Sequence, residues 1–455
     1  MVTAEFRKAI RINRGSCSQG SYQTSWRNDF FFVAQPDPLL ERGGRETSAI
    51  NRTSRRRLKL LLVIPGLGPV YGGPSIIFPA LAGALAREGL TVDVVTTDAN
   101  GSARLDVSTH TWCEEKGYRV RYFRRLGRLE YKISLSLLAW LVRHIRDYDV
   151  VHALSLFNFP ILACAFACRL RGVPLVLNPQ GMLEPWALSR NRWKKCPSYL
   201  LIEKPNVLGA ASAIHALTFN EARNIAALGL GKPIFVVPNG VDVDSDERDA
   251  SAEEFFAAFP AARGKRLILF LHRIDPKKGL DLLARSFASV HKQSLDTHLI
   301  IAGPDLNGFW PIARSFFESS ESDAAVTYTG MLNGKMKRSA FLAASLFVAP
   351  SYSEGLSMSV LEAMAAGLPC VVTTGCNFPE AAAAGAAIEI PIDSEALTAA
   401  ISKLLDTPSE ARVIGQRARR FILEGYTWHD VAKKIASVYD AILCGAVIPY
   451  SLTRE

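Results

Sequence analysis

Several familiar constellations are missing from this chain of 455 residues. Its eight cysteines, Cys17, Cys113, Cys164, Cys168, Cys196, Cys370, Cys376 and Cys444, form no CxxC pair and no CxxC-to-HxxxH spacing, so zinc is not suggested. Several of them lie in apolar runs, where a free thiol behaves as a small hydrophobe, and a reducing cytosol is the simplest compartment for them. Long hydrophobic runs are lacking too. The longest, Ala153 to Cys168, is interrupted by Asn158 and Pro160 and falls short of the ~20 residues of a membrane helix, so no span is expected. No internal period announces a solenoid. Residues 1–57 are rich in Arg, Ser and Asn and lack both periodicity and the apolar core of a secretory signal, so they are expected to be a disordered extension without a role. The dinucleotide fingerprint is broken as well. Gly66-Leu67-Gly68 is followed by Pro69, the third glycine would fall on Tyr71, and no Tyr-xxx-Lys pair stands near, which disfavours an epimerase or dehydrogenase.

What is present is globular. Nearly half the residues, 49%, are apolar, and the length allows two domains with sizeable cores. The formal charge of +10 is uneven, with arginine clusters at Arg55 to Arg57, Arg119 to Arg128 and Arg190 to Lys195. An anionic partner follows, whether nucleotide phosphate, acidic lipid or nucleic acid, because net charge does not choose among them.

The most informative stretch runs from Phe347 to Thr374 and reads as strand, polar loop, helix, glycine stop and strand. Phe347 to Ala349 are closed by Pro350, which cannot continue a central strand. Ser359 to Ala366 reads as a helix stopped by Gly367 and Pro369. Joins this short favour a parallel crossover, which places ligands outside the carboxyl ends of its strands. Glu354 and Glu362 stand there, separated by seven residues. On one continuous helix they would be roughly 80° apart. With Glu354 in the loop, they span roughly 12 Å and suit a diphosphate with a sugar at either end, its phosphates at the helix start. Ser351 with Glu354, and Ser359 with Glu362, also fit capping boxes, which would explain either glutamate locally.

An apolar run from Leu58 opens the ordered chain, and the turn PGLGPVYGGPS follows it. Gly72 and Gly73 permit a close approach to phosphate before a helix from about Ser75 to Glu88, or else form a plain tight turn. Strands are expected at Thr91 to Thr96, Asp149 to Leu154 and Val173 to Leu177, with a loop region from the first of these to about Tyr118. Tyr118 to Arg128 alternates base and aromatic ahead of a helical stretch, Ser134 to Arg146. That pairing fits a membrane-surface patch or a core-facing helix with a basic flank. His152 near a strand end reads as a packed core histidine. Gln180 and Gly181 follow the strand ending at Leu177, and a Gln can orient a hydroxyl but cannot act as a base. Pro238-Asn239-Gly240 is a turn before an acidic, alanine-rich boundary. The second series begins at Arg266 to Leu271 and leads into HRIDPKKG, where Arg273 and Lys278 flank a turn and could reach one anion. The tail from Asp393 to Gly425 is helical, and a last helix follows Tyr426-Thr427-Trp428.

The GGP turn at Gly72 to Pro74, PQGML at Pro179 to Leu183, PNGVD at Pro238 to Asp242, HRIDPKKG at His272 to Gly279, IAGPD at Ile301 to Asp305 and the paired glutamates occur in order. Over about Leu58 to Leu443 this resembles the family 4 retaining glycosyltransferases of the GT-B fold. The resemblance implies an α/β chain of two Rossmann-like domains whose parallel sheets face each other across a cleft. Residues 58–240 would bind the acceptor and residues 241–427 the nucleotide sugar, with a last helix at about 428–445 packed back on the first domain.

The resemblance also assigns roles. Arg273 and Lys278 would neutralise the leaving diphosphate, Glu354 would bond donor-sugar hydroxyls, and Glu362 the nucleotide ribose. The backbone of Gly355, Leu356 and Ser357, with Gly72 and Gly73, would contact phosphate and sugar, and Gln180 and Gly181 would lie on the acceptor and sugar side. No metal or cofactor is implied, and the DxD-like pair Asp242 and Asp244 belongs to a turn. Many relatives carry histidine where Gln180 stands, which leaves a non-catalytic nucleotide-sugar or glycan binder as the alternative. The expected function is transfer from a UDP- or GDP-sugar to a glycan or lipid-linked acceptor in bacterial surface polysaccharide or lipopolysaccharide synthesis. It would take place in the cytoplasm, at the anionic face of the inner membrane, without nucleic acid.

Overall fold

Leu60, Leu61, Leu62 and Val63 are fully buried, as a strand covered on both faces requires, and they sit at the middle of the first of two parallel sheets. The computed structural model describes residues 30–32, 57–127, 130–189, 197–243, 250–320 and 322–454. The arginine cluster at 55–57 except Arg57, the run from Arg190 to Lys195, Asp244, and the extension expected at 1–57 apart from 30–32 and Arg57 lie outside the described residues.

The chain divides into two compact units, Met1–Pro238 with Ala432–Glu455, and Asn239–Val431. The first unit's sheet is built from β1 (Lys59–Val63), β2 (Thr91–Thr97), β3 (Trp112–Glu114), β4 (Arg119–Phe123), β5 (Val150–Leu154), β6 (Leu175–Asn178), β7 (Ala213–Ala216) and β8 (Ile234–Val236). Their order is β8-β7-β6-β5-β1-β2-β4-β3, parallel throughout except that β3 runs against β4. Registers such as Leu62 with His152 and Thr97 with Phe123 align the carboxyl ends, so the loops that follow β1, β2, β4, β5 and β6 share one end of the sheet. Helices α1 (Gly73–Arg87), α2 (Leu135–His144) and α3 (Phe159–Arg171) belong to this unit; Ser134 and Asn158 cap the last two by accepting N–H bonds from Leu137 and Ile161.

The second unit holds β9 (Arg266–Leu271), β10 (Thr297–Ala302), β11 (Val326–Gly330), β12 (Leu346–Ala349), β13 (Cys370–Thr373) and β14 (Ile388–Ile390), ordered β11-β10-β9-β12-β13-β14 and all parallel. Helices α4 (Leu280–Gln293), α5 (Gly334–Ala343) and α6 (Met358–Ala365) follow β9, β11 and β12. A last helix, α7 (Trp428–Cys444), starts in the second unit and ends in the first. At its start Trp428 lies so close to Gly240 that any β-carbon there would overlap the indole, which explains the glycine of PNGVD.

Three local expectations gain detail. The region before Tyr118 is not all loop, because Trp112–Glu114 forms an antiparallel strand. The alternating run that begins at Tyr118 holds a strand, Arg119–Phe123: Val120 and Phe123 are buried, Arg119 grips Asp93 through Nε and Nη2 at 2.8 and 2.7 Å, and its guanidinium lies 4.8 Å from the Trp112 ring. The tail after Asp393 is two helices, Ser394–Asp406 and Pro408–Leu423, parted where Pro408 forbids continuation.

Candidate active site

Three loops at the carboxyl ends of β9, β10 and β12 press together in the second unit, and glycines permit it. Gly279 has φ +72°, and a β-carbon on it would overlap the carbonyl of Pro350; one on Gly303, at φ +142°, would overlap the carbonyl of His272. The HRIDPKKG turn is thereby set against the start of the Ser351–Ser357 loop. Asp275 fixes the turn, accepting the N–H of Lys277 at 3.0 Å into the short helix Pro276–Lys278.

Glu354 is held from both sides. Its N–H donates to the carbonyl of Gly375 at 2.7 Å, and its own carbonyl accepts Asn377 Nδ2 at 2.6 Å. Its carboxylate accepts Ser351 Oγ at 2.8 Å and forms an ion pair with Lys278. Both partners are buried, each about 7% exposed. Burial pushes the Glu354 carboxyl up, but Lys278, with His272 and Lys277, outweighs it and holds the group down at about 2. It is a carboxylate at any physiological pH, an acceptor of hydroxyl hydrogens and not a proton donor. His272 is pushed down to about 3, first by burial and then by Lys278, so it stands neutral; its ring meets Ser359 Oγ at 3.1 Å. Burial also lowers the Lys277 ammonium, with Lys278 and Arg273 in the same direction and Glu354 against them. Arg273 is half exposed, and its nearest carboxylate, Asp275, is 3.8 Å away.

Glu362 lies on α6, one turn beyond Ser359. Lys337 of α5 donates to it at 2.8 Å. The capping-box alternative fails at this helix, because Ser357 is the N-cap without a side-chain bond and Ser359 Oγ faces His272 and Ser357. At Glu354 the serine three residues before it binds the carboxylate itself, and no helix begins there. The structure therefore brings Lys278 and Glu354 into contact, keeps Arg273 on the same turn, and puts Glu362 on the helix whose Ser359 touches His272. Gly355, Leu356 and Ser357 lead into α6.

The remaining candidates lie in the first unit. Gly72 takes φ +65° and ψ −123°, a conformation open only to glycine, and nothing crowds it. Gln180 has φ +54°, and its N–H donates to Asn178 Oδ1 at 3.0 Å. Gly181 donates to Glu221 Oε1 at 2.7 Å, and the other oxygen of Glu221 takes Leu217 N–H at 2.7 Å. Burial raises the fully buried Glu221 carboxyl, against those two backbone bonds.

His152 is a core histidine with defined partners. The Tyr439 hydroxyl of α7 lies 2.8 Å from its Nδ1; His215 Nδ1 lies 3.4 Å from its Nε2 and accepts Asn178 Nδ2 at 2.8 Å; His215 Nε2 donates to the Val237 carbonyl at 2.7 Å. The lone carbonyl fixes the tautomer of His215. Sequence reasoning missed Glu221, His215 and Lys337.

Among the described residues no group of three His, Cys, Asp or Glu could hold a metal ion, and no helix is long and apolar enough to cross a membrane.

The family description "Glycosyl transferases group 1" matches residues 251–438, and "Glycosyltransferase Family 4" matches residues 71–245. An MMP alpha-(1->4)-mannosyltransferase of Mycolicibacterium hassiacum is 30% identical over 212 residues, which is 46% of this chain and only 48% of that relative. A glycogen synthase of Mycobacterium tuberculosis is 27% identical over 413 residues, covering 84% of this chain and 94% of the relative. Among solved structures, Anabaena Alr3699/HepE in complex with UDP and glucose superposes with a TM-score of 0.66 at 17% identity, covering 85% of this chain and 100% of that one.

Proposed function

Since this chain belongs to the family 4, group 1 glycosyltransferases of the GT-B fold, acting with sugar-nucleotide donors, we propose that it transfers the sugar with retention and without a metal ion. The donor is a UDP- or GDP-sugar, and the acceptor is a glycan or lipid-linked precursor of bacterial surface polysaccharide or lipopolysaccharide. The work is done in the cytoplasm, peripherally at the inner face of the membrane. The UDP and glucose named with the Anabaena neighbour support the donor class.

The single observation that carries the reading is the buried Lys278–Glu354 pair with Arg273 on the same turn. Arg273 and Lys278 supply fixed positive charge for a leaving diphosphate, and Glu354, always ionised, accepts hydroxyl hydrogens of the donor sugar. Preorganised donors of this kind contribute about 2–4 kcal/mol to the transition state. Glu362 takes ribose hydroxyls, and the N–H groups from Gly355 to Ser357, with Gly72 and Gly73, meet phosphate and sugar. Gln180 and Gly181 line the acceptor and sugar side. As the resemblance implies, the departing phosphate takes the acceptor proton as the new bond forms on the face it leaves.

The test is a panel of UDP-, GDP- and ADP-sugars. A donor at about 100 times its dissociation constant should stabilise the fold by about 2.7 kcal/mol. Binding without turnover or hydrolysis, for every donor and acceptor, would favour a non-catalytic nucleotide-sugar binder. Gln180 in place of histidine is what favours that second reading.

A further inference from the structure

The first unit contains a buried cationic cluster that the donor chemistry does not use. Arg125, just beyond β4, is fully buried. Its backbone N–H donates to Asp98 Oδ1 at 2.9 Å, and Nη2 donates to the carbonyls of Ser102 and Ala103 at 2.9 and 2.7 Å. Its Nε and Nη1 have no partner among the described residues. A guanidinium never sheds its proton, so two unmet donors on a buried one are costly.

Lys132 is its neighbour, with a side chain only 11% exposed and a backbone at φ +55°, a strained conformation for lysine. Its Nζ donates to the carbonyl of Glu130 at 3.1 Å and lies 4.7 Å from the centre of the Tyr71 ring. Burial lowers its ammonium, and Arg125 adds to that against Glu130.

The compensating acids are few. Asp98 already receives Arg125 N–H and has Arg104 at 3.7 Å, while Glu130, 3.7 Å from Lys132, is 73% exposed. Among the described residues, three cations thus face two carboxylates, one of them mostly in water. Buried charge of this kind calls for a counter-ion. Tyr71 comes from the glycine loop after β1, Asp98 follows β2 and Arg125 follows β4, so the cluster lies at the carboxyl end of the sheet, where parallel α/β units take ligands.

We propose that Arg125 and Lys132, beside Tyr71, form a binding site for the phosphate group of a phosphorylated acceptor. This deepens the transferase reading and rests on its assignment of the acceptor to the first unit. Phosphate oxygens would accept from Lys132 Nζ and supply the missing negative charge beside the buried Arg125 guanidinium. A soluble sugar phosphate and a polyprenyl phosphate share that chemistry.

Calorimetric titration of the full chain tests it, with UDP and GDP in excess to fill phosphate sites in the second unit. The probes are inorganic phosphate, glucose 6-phosphate and undecaprenyl phosphate in micelles. One saturable site is expected, weakened about tenfold or more by Lys132→Met and by Arg125→Gln. Tighter binding of the sugar phosphate assigns a soluble acceptor, and tighter binding of the micellar probe a lipid-linked one. Should Arg125→Gln fail to fold, Lys132→Met alone decides. Wild-type affinity in Lys132→Met, or no saturable binding of any probe, overturns the site and leaves Arg125 as a tie for residues 102–103. Failure of UDP and GDP to bind counts against the donor reading and leaves this titration readable.

Discussion

Lys278 and Glu354, 76 residues apart, meet as an ion pair in which neither partner is more than a tenth exposed. One comes from the turn after β9 and the other from the loop after β12, neighbouring strands of one sheet. Removing one member leaves the other buried without its counter-charge. Lys278→Met is expected to cost about 3–5 kcal/mol of stability. In the double variant with Glu354→Gln the loss should be smaller than the sum of the two single losses. Urea unfolding of the four proteins measures this, and strict additivity would argue against the pair.

Arg273 differs because its head is half exposed and its carboxylate neighbour is distant. Arg273→Met should change stability by less than about 0.5 kcal/mol. Turnover with the preferred donor should fall by about 2–4 kcal/mol in transition-state free energy. Steady-state rates and a melting curve on one preparation check both halves, and an unimpaired rate removes Arg273 from the chemistry.

Acid should weaken the fold in two stages. His272, lowered to about 3, stays neutral in the folded chain while the unfolded chain takes up a proton near 6.5. The unfolded state then binds more protons, and stability falls as pH drops from about 6.5 towards 3. Glu354, held at about 2, contributes stability that is complete above its unfolded value and is lost as pH falls from about 4.5 through 2. His272→Asn should make the upper stage shallower without removing it, because burial also lowers His152, His215 and His298, and should leave the lower stage unchanged, as urea midpoints at about pH 7, 5 and 4 would record.

Glu221 accepts two backbone N–H groups, from Leu217 and Gly181. Glu221→Leu strands both in the interior at about 1–3 kcal/mol each. Glu221→Gln, which keeps an acceptor oxygen, should lose less. Hydrogen exchange at Gly181 should accelerate in the leucine variant, and unchanged protection there would contradict the clamp.

The central strand, loop and helix were legible because their signals are local. Pro350 ends β12, Gly367 with Pro369 ends the helix, and the observed bounds, Leu346–Ala349, Met358–Ala365 and Cys370–Thr373, differ from the reading by about one residue. The pairing of Lys278 with Glu354 is tertiary, and no spacing announces it. Glu221 carried a misleading signal. Thr218 three residues before it has the form of a capping box, and Thr218 does accept the N–H of Glu221, but the carboxylate reaches Leu217 and Gly181 instead. Arg125 looked like one base in a basic run, and only its burial sets it apart from Arg119, whose guanidinium is paired.

The bond from Tyr439 to His152 has a consequence for synthesis. As the chain emerges from the ribosome, strands β1 to β8 are complete long before residue 439 exists, so the imidazole at 152 waits without its phenol until the final helix is made. A nascent chain halted near residue 240 should therefore hold a first sheet that is paired but unfinished, and that is the stage at which it most needs shelter from aggregation.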